Sequence, residues 1–123
     1  MPSLGKYDPL DHQLATKESV DSMRSRAESV VKVGSHTLQF DSVSRERMRL
    51  VLKGSEGGDL VNWKMYDNSV VSFSKEELET LYQTAEIEAG KRLLHVHAKA
   101  QTFKEAIDSG MRVTLRDIRL DNW

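Results

Sequence analysis

Residues 60–81 read LVNWKMYDNSVVSFSKEELETL, and two signals in this stretch decide the fold class. The first is a hairpin. The runs LVNWKMY and SVVSF are rich in β-branched and aromatic residues and flank Asp67-Asn68, a pair that tolerates the left-handed backbone of a tight turn. Two registers stand, because a two-residue turn and a longer one put Trp63 opposite different partners. The second signal is a helix start. Ser74 precedes Glu77 by three residues, the spacing at which each side chain satisfies the other's free backbone N–H.

Beyond that cap an apolar stripe runs Leu78, Leu81, Ala85, Ala89, Leu93, Val96, Ala100, Phe103 and Ile107. Steps of three and four, close to a heptad spacing, predict one long helix of about eight turns. At 1.5 Å per residue such a helix reaches roughly 45 Å, longer than a domain of this size is wide. Part of it is therefore expected to pass beyond its own core or to pair with another chain. Gly110 ends the pattern. The closing segment, Thr114 to Trp123, reads as a short capped turn with Thr114 or its neighbour as cap, and Leu115 and Ile118 on one face.

Upstream, Val20, Met23, Ala27 and Val30 recur at helical spacing behind Thr16, whose hydroxyl suits an N-cap. Residues 31–40, VKVGSHTLQF, alternate apolar and polar positions on both sides of Gly34-Ser35, which predicts two short strands around a tight turn. Asp41 or Ser42 then caps a helix over about residues 43–53, with Val43, Met48, Val51 and Leu52 as its apolar members. Gly54, Gly57 and Gly58 end it in a loop. Residues 1–14 mix Pro2, Gly5 and Pro9 with polar residues and show no period, so they read as an arm, disordered alone and ordered against a partner. The expected architecture is α+β: small antiparallel β-hairpins packed on a long C-terminal helix, with shorter helices around them. It comprises a flexible arm over residues 1–14 and a single domain over residues 15–123.

Composition excludes more than it assigns. A chain of 123 residues, 38% hydrophobic and 30% charged, suits one soluble domain with one modest core. With 18 basic and 19 acidic residues the net charge is −1, so no bulk field draws nucleic acid or an anionic membrane. The absence of cysteine removes disulfides, thiolate catalysis and Cys-based zinc sites. The N-terminal residues lack the layout of a signal peptide, and no apolar run approaches a membrane span.

Local motifs point the same way. His95 and His97 lie two apart on a helix, about 200° from each other, and cannot ligate one ion together. His12 and His36 stand in unlike segments with no ligand spacing. KGSEGGD at residues 53–59 lacks the Lys-Ser/Thr ending of a phosphate loop, no nucleophile elbow is present, and no carboxylate pair is singled out as acid and base. No cofactor is expected. Arg45, Arg47 and Arg49 are the only local basic feature, and steps of two scatter them around their helix among residues such as Glu46. Trp63 and Trp123 suit a core or interface anchor, each offering a large apolar area and one N–H.

Taken in order, the pieces VGSHTLQFD, SRERM, VNWKMYDNSVVSFSKEEL, LLHVHAKAQTFKEAID and TLRDIRLDNW resemble an uncharacterised domain family of tailed-bacteriophage tail proteins and tail-fibre assembly chaperones. The resemblance covers residues 20–123, and it implies a non-catalytic protein. Its expected role is structural component or assembly factor of the tail fibre or baseplate, acting through protein–protein contacts. The implied location is the virion tail, assembled in the host cytoplasm. Virion component and transient chaperone both stand, because the arm is too short to hold the fibre-binding domain of a full chaperone. The expected partners are fibre or baseplate proteins, with the chain a homo-oligomer or bound to a multimeric tail assembly, and with neither nucleic acid nor membrane. The residues expected to carry partner contact are Leu4, Tyr7, Leu10 and Leu14 of the arm, with Trp63, Leu93, Phe103 and Trp123. The rival reading is a regulatory or nucleic-acid-associated module built on Arg45, Arg47 and Arg49.

Overall fold

A computed structural model of the chain describes residues 12–123. Leu4, Tyr7 and Leu10 lie outside the described residues. The architecture is α+β, with two small antiparallel hairpins, a long C-terminal helix and shorter helices. The chain divides into two compact units, residues 28–94 and a second made of the residues up to Ala27 with His95–Trp123. Each has its own apolar cluster, where composition predicts a single modest core.

In the unit of residues 28–94, β1 (Val30–Val33) and β2 (His36–Gln39) pair with Val31 opposite Leu38. Gly34 takes φ +59° in the turn between them, a conformation glycine adopts without steric cost. Helix α2 (Ser42–Gly54) starts at Asp41, whose carboxylate accepts from the Ser44 N–H at 2.8 Å. Its alternative cap, Ser42, is the first residue of the helix itself. Strands β3 (Leu60–Lys64) and β4 (Val70–Ser74) place Trp63 opposite Val71, which settles the register. The deciding contacts are in the loop: Met65 N–H donates to the Ser69 carbonyl at 2.7 Å and Asn68 N–H to the Met65 carbonyl at 3.0 Å. Asn68 sits at φ 72°, so the connection is a three-residue loop whose last residue is left-handed.

Helix α3 (Lys75–Asp108) opens on the predicted box. Ser74 N–H donates to Glu77 Oε1 at 2.8 Å, and Glu77 N–H to Ser74 Oγ at 3.1 Å. Its residues Leu78, Leu81 and Ala85 close a core with Val31, Leu38, Phe40, Met48, Met65 and Phe73. The hairpins thus pack on the first part of α3.

The other unit gathers α1 (Lys17–Glu28), the rest of α3 and the C-terminal segment. Thr16 caps α1 as expected: Ser19 N–H donates to Thr16 Oγ1 at 3.1 Å, and Thr16 N–H to Ser19 Oγ at 2.7 Å. Val30, read as the end of that helix, instead begins β1. Val20 and Ala27 meet Val96, Ala100, Val113, Ile118 and Trp123 in the core. Gly110 ends α3 at φ +83°. Gly110 N–H reaches the Ile107 carbonyl and Met111 N–H the Ala106 carbonyl, the two bonds that satisfy the last carbonyls of a helix.

The boundary of the arm moves. Ala15 N–H donates to the Val113 carbonyl at 2.8 Å and Leu115 N–H to the Gln13 carbonyl at 3.0 Å, so Gln13–Ala15 pair with the C-terminal segment. Leu14, placed in the arm by the sequence, forms a bridge opposite Thr114 while the residue stays 59% exposed. The backbone is held there by hydrogen bonds that no hydrophobic periodicity records.

Candidate functional site

Exposed apolar side chains concentrate in the unit of residues 28–94. On α2 only Met48 is buried. Val43 and Val51, counted with its apolar set in the sequence, are exposed, and so is Leu50. A helix that shows this much apolar surface beside its core face is wider in apolar character than its own domain covers. Beneath it lies a groove of about 650 Å³, within the range that ligand-binding clefts occupy.

One wall of the groove is α2, through Ser44, Arg47, Leu50 and Val51; the other is β3 and its loop, through Asn62, Trp63, Lys64, Met65 and Tyr66. Gln39 and Asn68 complete the rim. Successive side chains of a strand point to opposite faces. Asn62, Trp63 and Lys64 can therefore line one cavity only if it runs along the edge of β3 and not over a face.

That edge is unpaired. Among the described residues the sheet holds only β3 and β4. Met65 bonds inward to Ser69, and alternation along an antiparallel pair then turns Trp63 and Val61 toward β4 and leaves the N–H and C=O of Asn62 and Lys64 facing away from it. Tyr66, next in that outward series, donates its N–H to the Thr37 carbonyl of β2 at 2.9 Å. The edge is thus closed at Tyr66 and free at Lys64 and Asn62.

The charge of the groove is one-sided. Arg47 and Lys64 line it, and no acidic residue does. Neither cation takes part in an ion pair among the described residues. Asp41, at the start of α2, has its carboxyl held below the usual carboxylate range by the Ser44 backbone N–H, then by the Gln39 amide, with Arg47 a smaller contributor. The other two arginines of the basic run are engaged elsewhere. Arg45 reaches Glu86 at 3.5 Å and lies 5.3 Å over the Phe40 ring, and Arg49 pairs with Glu46 at 2.8 Å.

The residues expected to carry partner contact separate accordingly. Trp63 is half-buried and lines the groove. Leu93, read as part of the apolar stripe and as a partner contact, is 47% exposed, so the buried part of the stripe breaks between Ala89 and Val96. A period between 3.5 and 3.6 drifts around a straight helix, and here two cores take two segments of it. Phe103 is half-buried against Trp123, with ring centroids 5.4 Å apart. Trp123 itself is 6% exposed and donates its indole N–H to the Ile118 carbonyl at 2.9 Å, which places it in its unit's own core. His95, exposed, holds its Nε2 3.0 Å from the Trp123 carbonyl oxygen, and that carbonyl can only accept, so Nε2 is the donor. The groove residues Arg47, Leu50 and Lys64 went unnoticed as a set in the sequence, because they come from two elements and no periodicity joins them.

Among the described residues no group of three His, Asp or Glu side chains is placed to hold a metal ion, and no helix is long and apolar enough to cross a membrane. No curated protein and no solved structure matches the chain. A family model does, over residues 11–121. The chain belongs to that family, which is described as "Domain of unknown function (DUF4376)".

Proposed function

We propose that the chain is a non-catalytic tail protein of a tailed bacteriophage, a structural component or assembly factor of the fibre or baseplate that works through protein–protein contacts. The observation that carries the docking role is the groove between α2 and β3. It joins exposed Leu50 and Val51 to a free strand edge and a partly buried tryptophan. Strand edges of this kind recognise extended chains through main-chain hydrogen bonds, with side-chain pockets supplying specificity. The tail assignment is supported by the ordered resemblance of residues 20–123 to phage tail and fibre-assembly proteins, and its location would be the virion tail.

The rival nucleic-acid module draws less support. Arg45 and Arg49 are each paired with a glutamate, and the net charge of the chain is −1. Phosphate binding also falls steeply with salt, so a chain that retains duplex DNA at 200 mM salt would favour the rival.

The test is deletion of the gene from the phage or prophage that encodes it, with particles inspected by electron microscopy. The proposal expects particles lacking fibres or complete tails, restored by the wild-type gene. Normal, infective particles from the deletion would refute it.

A further inference from the structure

We infer that the groove between α2 and β3 receives an extended segment of a partner protein in which carboxylate and apolar side chains alternate, added as a strand along the free edge of β3. This rests on the docking reading above and deepens it by naming the partner's chemistry. The main-chain part of the site is the outward N–H and C=O of Asn62 and Lys64, the donors and acceptors an added strand requires. The charged part is Arg47 on one wall and Lys64 on the other, and among the described residues no acidic side chain lines the groove. The carboxylates nearest to these cations in the chain are engaged within the fold. Glu46 holds Arg49 with both oxygens, and Asp67 accepts from the N–H and the hydroxyl of Ser69. Asp41 gives one oxygen to the Ser44 N–H and the other to the Gln39 amide. Arg47 and Lys64 are thereby left for carboxylates brought from outside.

The alternation follows from the two faces of β3. Trp63 and Met65 share one face, and Met65 closes the core with Met48 of α2, so that face looks toward α2. Lys64 lies on the opposite, exposed face. An added strand continues both faces. Its side chains on the Trp63 face meet exposed Leu50 and Val51 and suit apolar groups. Those on the other face pass beside Lys64 and suit carboxylates. Arg47 stands one helical turn before Leu50 and Val51 on the same side of α2, where it can take a carboxylate at one end of the apolar row. A nucleic-acid strand fits less well. Its backbone has no series of N–H donors to pair with β3, and two cations neutralise only two phosphates.

Selection of random peptides from a displayed library on the full chain tests this. The wild type is expected to enrich peptides in which Asp or Glu alternates with aliphatic or aromatic residues. One such peptide, synthesised, should bind the Arg47→Glu, Lys64→Glu double variant at least about tenfold more weakly, as like charges meet. Both positions are exposed. The same peptide with each Asp or Glu replaced by Lys should bind the variant more tightly than the wild type, which also shows the variant to be folded. N-methylation at alternate peptide residues should abolish binding in one parity and spare it in the other, because an added strand turns every second N–H toward β3. The inference is overturned if no acidic peptide is enriched, if the double reversal leaves affinity unchanged, if the lysine peptide fails to recover binding, or if the two parities behave alike. Retention of an oligothymidylate in place of any acidic peptide also overturns it and assigns the groove to nucleic acid. Acidic peptides selected by a chain whose gene deletion leaves normal tails would sink the tail reading alone. Defective tails from a chain that selects no acidic peptide would sink this inference alone.

Discussion

The indole N–H of Trp123 donates to the backbone carbonyl of Ile118 at 2.9 Å, and the carbonyl of Trp123 receives Nε2–H of His95. The last residue is thereby tied at both its side chain and its backbone. Trp123→Ala should cost about 3–5 kcal/mol, the range for removing a buried aromatic side chain. Trp123→Phe keeps most of the apolar area and loses the indole bond, so about 1 kcal/mol is expected. His95→Ala should also cost about 1 kcal/mol. Urea midpoints measured on the three variants check all of this.

Leu81 and Leu93 belong to one stripe in the sequence and to different environments in the fold. Leu81 is buried and Leu93 is 47% exposed. Leu81→Ala should lower stability by about 2–5 kcal/mol. Leu93→Ala should cost less than about 1 kcal/mol, as exposed positions do. Equal losses at the two sites would mean that Leu93 is covered in solution by a partner or a second copy.

Much of the fold was legible because its signals are local. The Ser74–Glu77 box, the Gly34 turn, the Gly110 stop and the strands on either side of Asp67-Asn68 all follow from neighbouring residues and elementary backbone chemistry. The division of the stripe between two cores was not legible, since periodicity reports which residues share a helix face and not what covers that face. The groove was less legible still. Trp63 drew notice by its size, but Arg47 and Leu50 join it only through the packing of α2 against the second hairpin, and the free edge of β3 depends on a register that the sequence left open.

Asp41 couples the start of α2 to pH. Its carboxyl titrates below the ordinary aspartate value of 3.8 because the Ser44 N–H and the Gln39 amide bind the charged form. The cap therefore contributes stability that is complete above the unfolded value and lost as pH falls through the lower folded one. Asp41→Asn keeps an N-cap oxygen and should flatten that part of the acid limb with little change at neutral pH. Asp41→Ala should cost about 1 kcal/mol near pH 7. Stability measured from neutral pH down into the acid range distinguishes the two variants.

The central claim is that the edge of β3 is a docking surface for an extended chain, and amide hydrogen exchange on the full chain reads it directly. Asn62 and Lys64 should exchange fast in the free chain and slow markedly once a fibre or baseplate partner is bound. Val61 and Trp63, already bonded to β4, serve as references whose protection changes little. Equal exchange at Asn62 and Lys64 in the free and the partner-bound state would contradict the account, since binding would then leave the strand edge open to water.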